Sequence, residues 1–150
     1  MNRYKNVKEK KVKGVQEMKV YCYLEQERWK LAMMYENEWI EIEGEEKADD
    51  DLRTQLQSCL EILQFLRKWV PTNEEFLIYT NKQYLISCTE KWIPNWVSKG
   101  FRIGHTNKMR PHSDLLVKLH AFQRCMTFTM EQHYNDWDMY YAVFPHAIRE

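Results

Sequence analysis

The chain has 150 residues, 22 acidic and 22 basic side chains, and 14% aromatic residues. That length suits one domain with a buried core, and the aromatic content argues against a disordered polymer. Zero net charge speaks against a strong sequence-independent nucleic-acid binder, four glycines in neither phosphate-loop pattern speak against a nucleotide cradle, and no apolar run reaches the roughly 18–20 residues of a membrane span.

The lysine-rich start, residues 1–17, lacks a sustained period and an apolar signal core, and is expected to be a flexible basic arm ahead of a single domain over 18–147. In "MKVYCYLE" Met18, Val20, Cys22 and Leu24 alternate with Lys19, Tyr21, Tyr23 and Glu25, the pattern of a half-buried strand. "RWKLAMMYE" and "EWIEIEGE" follow as two more strands, close enough to make an antiparallel meander. The acidic "EEKADDD" then offers N-caps to a helix carrying Leu52, Leu56, Cys59, Leu60, Leu63 and Leu66, which Pro71 ends.

"FLIYTNKQYL" reads as a buried strand over 75–80 running into a helix from Lys82, which Pro94 is expected to split into two short pieces. "RIGHTNKMRPHSD" is a polar, basic loop, after which Ser113 or His112 caps a helix bearing Leu115, Leu116, Leu119 and Phe122. "MTFTME" alternates as a strand, and Trp137, Tyr140, Tyr141 and Phe144 mark a last amphipathic helix. The order β-β-β-α-β-α-α-β-α predicts an α/β domain with a mixed five-stranded sheet and helices on both faces.

Charge is segregated along this order. Residues 3–19 carry seven Lys/Arg against two Glu, residues 36–51 nine acids against one Lys, and residues 99–124 six Lys/Arg and three His against Asp114. The four cysteines are far apart with no C-x-x-C pair, so neither a zinc site nor a secreted disulfide framework is expected. Cys22 and Cys59 fall in apolar patterns as small core residues, which fits an intracellular, nuclear or cytoplasmic, protein. None of the five histidines has a metal-binding spacing. His112, Ser113 and Asp114 share one turn and so suit capping rather than a catalytic triad, whose members come from distant parts of a chain.

The element order and "YTNKQYLISCTEKWIPNWVSKGFR" together resemble type 1 ribonuclease H, whose segment reads T-D-S-Q-Y-V followed by T-x-W-I-x-N-W-x-x-x-G-W. Thr80, Gln83, Tyr84, Thr89, Trp92, Ile93, Asn95, Trp96 and Gly100 match it without a gap. Asp114-Leu115 resembles the family's V-D-L-W helix start, and Arg53 and Leu56 resemble its N-N-R-x-E-L. The resemblance implies hydrolysis of the RNA strand of an RNA–DNA hybrid, with four carboxylates holding two Mg²⁺ ions.

Position by position, three of those four carboxylates are replaced. Tyr23 stands at the first-strand Asp, Gln55 at the first-helix Glu and Asn81, beside Lys82, at the central Asp. Asp136 or Asp138 matches the fourth, His133 matches a mobile histidine of active relatives, and "LEQERW" replaces the glycine-rich turn. Neutral side chains bring no negative charge to two dications, so the expectation is a catalytically inactive domain with no cofactor. A metal-dependent nuclease rebuilt around Glu25 and Asp138 is the remote alternative.

The leading expectation is a protein-interaction or scaffold module, with the acidic region 36–51 and any exposed members of Trp29, Trp39, Trp69 and Trp137 as anchors. The alternative is a non-cleaving binder of RNA–DNA hybrid or double-stranded nucleic acid. Its candidate contacts are Gln83, Trp92, Asn95, Trp96, Lys99, Phe101, Arg102, Lys108 and Arg110, the basic, aromatic segment that grips DNA in some relatives. The competing reading makes Trp92 and Trp96, four apart, core anchors of a short helix, and Gln83 the polar start of that helix.

Overall fold

The computed structural model describes residues 17–70 and 74–132. Three strands open the chain: β1 (Glu17–Glu25), β2 (Arg28–Tyr35) and β3 (Glu38–Glu45). They are followed by α1 (Asp51–Trp69), β4 (Glu75–Thr80), α2 (Gln83–Ser87), a π-helical turn (Cys88–Trp92), α3 (Ile93–Val97), α4 (Ser113–Cys125) and β5 (Thr127–Gln132). The sheet order is β3-β2-β1-β4-β5. β1 pairs antiparallel with β2, and β2 with β3, while β1–β4 and β4–β5 are parallel. The expected mixed five-stranded sheet is therefore present. Glu17, assigned to the arm, is the first residue of β1, and the last expected helix lies outside the described residues.

Each element forms for a local reason. Met18, Val20, Cys22 and Leu24 all point into one core with Leu31, Met33, Leu56, Leu63, Leu66, Ile78 and Leu119, so the period-2 pattern of β1 is a burial pattern. The β2–β3 connection is a two-residue turn at Glu36 (φ 51°) and Asn37 (φ 68°), both left-handed as a type I′ hairpin requires. Trp29 of β2 lies against Gly44 of β3, where an added Cβ would stand 2.5 Å from the indole Cζ2, so only glycine fits that strand position.

α1 starts at Asp50, whose carboxylate accepts the Arg53 backbone N–H at 2.9 Å, and ends as the Val70 N–H reaches the Leu66 carbonyl. Its buried side includes Leu56, Cys59, Ile62, Leu63 and Leu66, the stripe the sequence predicts.

Pro94 does not divide its helix as expected. The backbone stays helical from Ser87 (φ −62°, ψ −41°) through Trp92 (φ −81°, ψ −45°) and Ile93 (φ −59°, ψ −45°). Proline lacks the N–H an α-turn needs, and the chain responds by widening into a π turn. The Thr89 carbonyl within that turn accepts instead from Gln123 Nε2 of α4 at 2.9 Å, and the Thr89 hydroxyl donates to the Leu85 carbonyl at 3.0 Å.

Cys22, Cys59 and Cys88 are buried and Cys125 is exposed, all four as free thiols. Among the described residues no helix is long and apolar enough to cross a membrane.

Candidate functional site

The parallel β1–β4 ladder ends at the pair Cys22↔Thr80, so Tyr23 and Asn81 come next, side by side, where the two strands leave the sheet. That is the position the resemblance gives to two of the metal-holding carboxylates.

Asn81 is bonded at both ends of its amide there. Its Oδ1 accepts the Leu24 backbone N–H at 2.9 Å and its Nδ2 donates to the Leu24 carbonyl at 2.8 Å. An amide has one donor and one acceptor end and so closes both bonds, whereas a carboxylate accepts only and would meet the Leu24 oxygen acceptor to acceptor. Gln55, on the first turns of α1, is 7% exposed. Its Nε2 donates to Asp51 Oδ2 at 2.9 Å, and its Oε1 is buried without a protein partner.

These donors do not fit two Mg²⁺ ions, which take mostly charged oxygens. Tyr23, Gln55 and Asn81 contribute no charge, and the Asn81 amide is already bonded to the Leu24 backbone at both ends. Among the described residues no three His, Cys, Asp or Glu side chains converge on a metal position. Glu25 is exposed at the end of β1. Asp136, Asp138, His133 and Trp137 lie outside the described residues, and with them the fourth position and the rebuilt alternative.

The starts of α1 and α4 are tied together. Arg53 grips Asp114 with two bonds of 3.0 and 2.7 Å, and this holds the Asp114 carboxyl down at about 2. His112 stands at the N-cap position of α4 but makes no side-chain cap, contrary to expectation. Its φ of 63° turns the ring back toward α1, where Nδ1 lies 3.5 Å from Arg53 Nη1 and Nε2 lies 3.6 Å from Asp50 Oδ2.

The segment from Tyr84 to Arg110 builds a cation–aromatic ridge. Trp92 stacks on Trp96 with centroids 5.6 Å apart, Tyr84 meets Trp92 edge-on, and the Arg110 guanidinium lies 4.4 Å from the Trp96 ring. Trp96 also packs against the core, so it serves as an anchor, while Trp92 is exposed. Asn95, Lys99, Arg102 and Lys108 are exposed around the ridge. Gln83 is exposed and its Nε2 donates to Ser87 Oγ at 3.2 Å.

Phe101 stands apart from that set. Left-handed backbone at Gly100 (φ 63°) and Phe101 (φ 61°) folds its ring into the core, leaving no face for a base. Among the anchors proposed for a protein partner, Trp39 and Trp69 are exposed and Trp29 is buried.

Comparison with known proteins places this geometry. No protein-family model matches the chain. A ribonuclease H of Caulobacter sp. (strain K31) is 29% identical over 93 residues, 62% of this chain and 57% of that protein. A ribonuclease H of Prochlorococcus marinus (strain NATL1A) is 36% identical over 63 residues, 42% of this chain and 38% of that protein. The matches thus span little more than half of one relative and under half of the other.

Among solved structures, LC9 ribonuclease H1, a type 1 enzyme with the type 2 active-site motif, superposes with a TM-score of 0.64 at 12% identity, over 85% of this chain and 67% of that one. A foamy viral protease–reverse transcriptase in complex with RNA/DNA hybrid gives a TM-score of 0.54 at 12% identity, over 85% of this chain and 19% of that one. The chain has the fold of a type 1 ribonuclease H. Its curated relatives are proteins named ribonuclease H.

Proposed function

We propose that this chain is a divergent type 1 ribonuclease H domain that binds a nucleic-acid duplex without cutting it. The observation that carries the reading is Asn81, whose amide is committed at both ends to Leu24 where the family holds metal. The binding half is supported by the ridge of Trp92, Trp96 and Arg110, and by Lys99, Arg102 and Lys108 beside it. A structural neighbour's complex with RNA/DNA hybrid points to the same class of ligand. The ridge moves the duplex reading ahead of the scaffold reading that the balanced charge favours.

The test is incubation of the chain with end-labelled RNA–DNA hybrid and Mg²⁺ or Mn²⁺. The expected result is a retarded complex at low salt with both strands intact. Metal-dependent cleavage that disappears in Asp138→Asn would overturn the proposal.

A protein partner is the second reading, favoured by one observation. Met34 and Trp39 are cross-strand neighbours near the acidic β2–β3 turn, and both are exposed. Retention of a partner at high salt, lost in Trp39→Ala, would favour it.

A further inference from the structure

β3 is the outer strand of the sheet, and among the described residues β2 alone pairs with it, on one side. Which of its amides face outward follows from the alternation of hydrogen bonds in an antiparallel pair. A two-residue turn closes on a bonded pair, here Tyr35 and Glu38, and at the far end the Glu46 N–H donates to the Glu27 carbonyl at 2.8 Å. The register is unbroken between them, so Glu38, Ile40, Ile42 and Gly44 bond inward to β2. Trp39, Glu41, Glu43 and Glu45 therefore turn their N–H and C=O groups away from the sheet.

Edges of this kind are usually guarded by proline, a bulge or lysine. β3 has none of these. Its guard has one sign, because every outward peptide unit belongs to Trp39 or to a glutamate. These four side chains share the face of Met34, opposite to Leu31 and Met33, and all four are exposed. Ile40 and Ile42 are half-buried on the other face. Two cations of β2 stand beside the row, Arg28 opposite Glu45 and Lys30 opposite Glu43. Lys30 Nζ lies 3.9 Å from the Glu43 carboxylate, whose side chain is still 71% exposed. Trp39 Nε1 donates to Glu41 Oε2 at 2.9 Å, which sets the indole beside the first carboxylate.

A glutamate guard excludes some strands and admits others. Two copies joined antiparallel along these amides would set Glu41 against Glu43, like charge against like. A strand with lysine at every second position instead meets the row as ion pairs, and its intervening aliphatic side chains extend the surface of Ile40 and Ile42. We propose that β3 is the docking edge for a lysine-alternating, extended segment of another protein, which adds to the sheet as an antiparallel strand. An apolar residue at the end of that segment covers Trp39 and Met34. The proposal rests on the protein-partner reading above, to which it gives a chemistry, and it holds whether or not the ridge binds a duplex.

The experiment follows amide hydrogen exchange in the full chain by NMR, with a short peptide that alternates lysine with valine and ends in leucine. In the free chain the amides of Trp39, Glu41, Glu43 and Glu45 should exchange fast and those of Ile40, Ile42 and Gly44 slowly. Saturating peptide should slow the first set by roughly tenfold or more and leave the second set unchanged. The lysines lie opposite the glutamates in bonded pairs, so their amides point at β3 while the valine amides point away. Methylation of the lysine backbone nitrogens should abolish the protection, and methylation of the valine nitrogens should spare it. Glu41→Lys combined with Glu45→Lys should lose the lysine peptide and gain its glutamate counterpart, a rescue that a misfolded chain cannot give.

Exchange unchanged by the peptide, or protection that survives methylation of the lysine nitrogens, overturns strand addition. A partner retained at high salt and lost in Trp39→Ala would then leave the protein-partner reading standing. Slow exchange of the outward amides before peptide is added means that the edge is already filled, by a second copy or by the lysine-rich residues 1–16, and overturns the proposal as well.

Discussion

Asn81 joins two strands that are 57 residues apart in sequence at their closest bond, and a change of one atom type tests that role. Asn81→Asp keeps the shape but turns the Nδ2 donor into an acceptor facing the Leu24 carbonyl. The expected loss is about 1–3 kcal/mol, read from urea denaturation, with no gain of metal-dependent cleavage. Unchanged stability would show that the clamp is not formed. Asp114 makes a second test. The bidentate bond to Arg53 lowers its carboxyl from 3.8 to about 2, so the folded state binds that proton less readily than the unfolded chain. Its stabilisation is then complete above about pH 4 and is lost as pH falls toward about 2. Asp114→Asn should lower the thermal midpoint modestly at pH 7, the pair being largely exposed, and the gap to wild type should close in acid. The resemblance to the ribonuclease H segment, kept in register by the flanking Thr80 and Gln83, gives position 81 as a replaced metal position. It cannot reveal the bond to Leu24, which depends on strand alignment between distant segments.

At the scale of elements, the meander and α1 were legible because their hydrophobic periods are long and uninterrupted. The π turn was not. Pro94 carries a strong local signal to stop, and the compensating donor, Gln123, is on another helix. A small hairpin over 101–110, where Arg102 pairs with Met109, was also hidden, since a ladder with one bridge leaves no run of alternation to detect. Gly44 shows how a single residue sets the fit between elements. Gly44→Ala would put a methyl group into the Trp29 indole, and should cost about 1–3 kcal/mol as the ring is displaced from β3. A blue-shifted or red-shifted tryptophan emission would accompany that loss in urea titrations, and unaltered emission and stability would argue against the close approach.

Over the whole molecule, zero net charge conceals two opposed regions, the acidic β3 side with its following loop and the acid-free stretch from 99 to 113. The architecture was legible from element order alone, whereas the clustering of ridge and hairpin needed the fold. If Lys99, Arg102, Lys108 and Arg110 each meet a phosphate, log K should fall against log salt with a slope of about −3 to −4, and Lys99→Gln should reduce it by about 1. A slope near zero, measured on RNA–DNA hybrid, would remove the ridge from the binding surface.

The placement of the thiols has a practical consequence of its own. Burial raises the Cys22, Cys59 and Cys88 thiols, Cys59 to about 12 and Cys88 to about 11, so their nucleophilic forms are scarce as well as shielded. Cys125, at the end of α4, is exposed. A maleimide added to the folded chain should therefore attach once, at Cys125, and each later addition would time an opening of the core. Mass spectrometry of the alkylation ladder would make the protein its own clock for local unfolding.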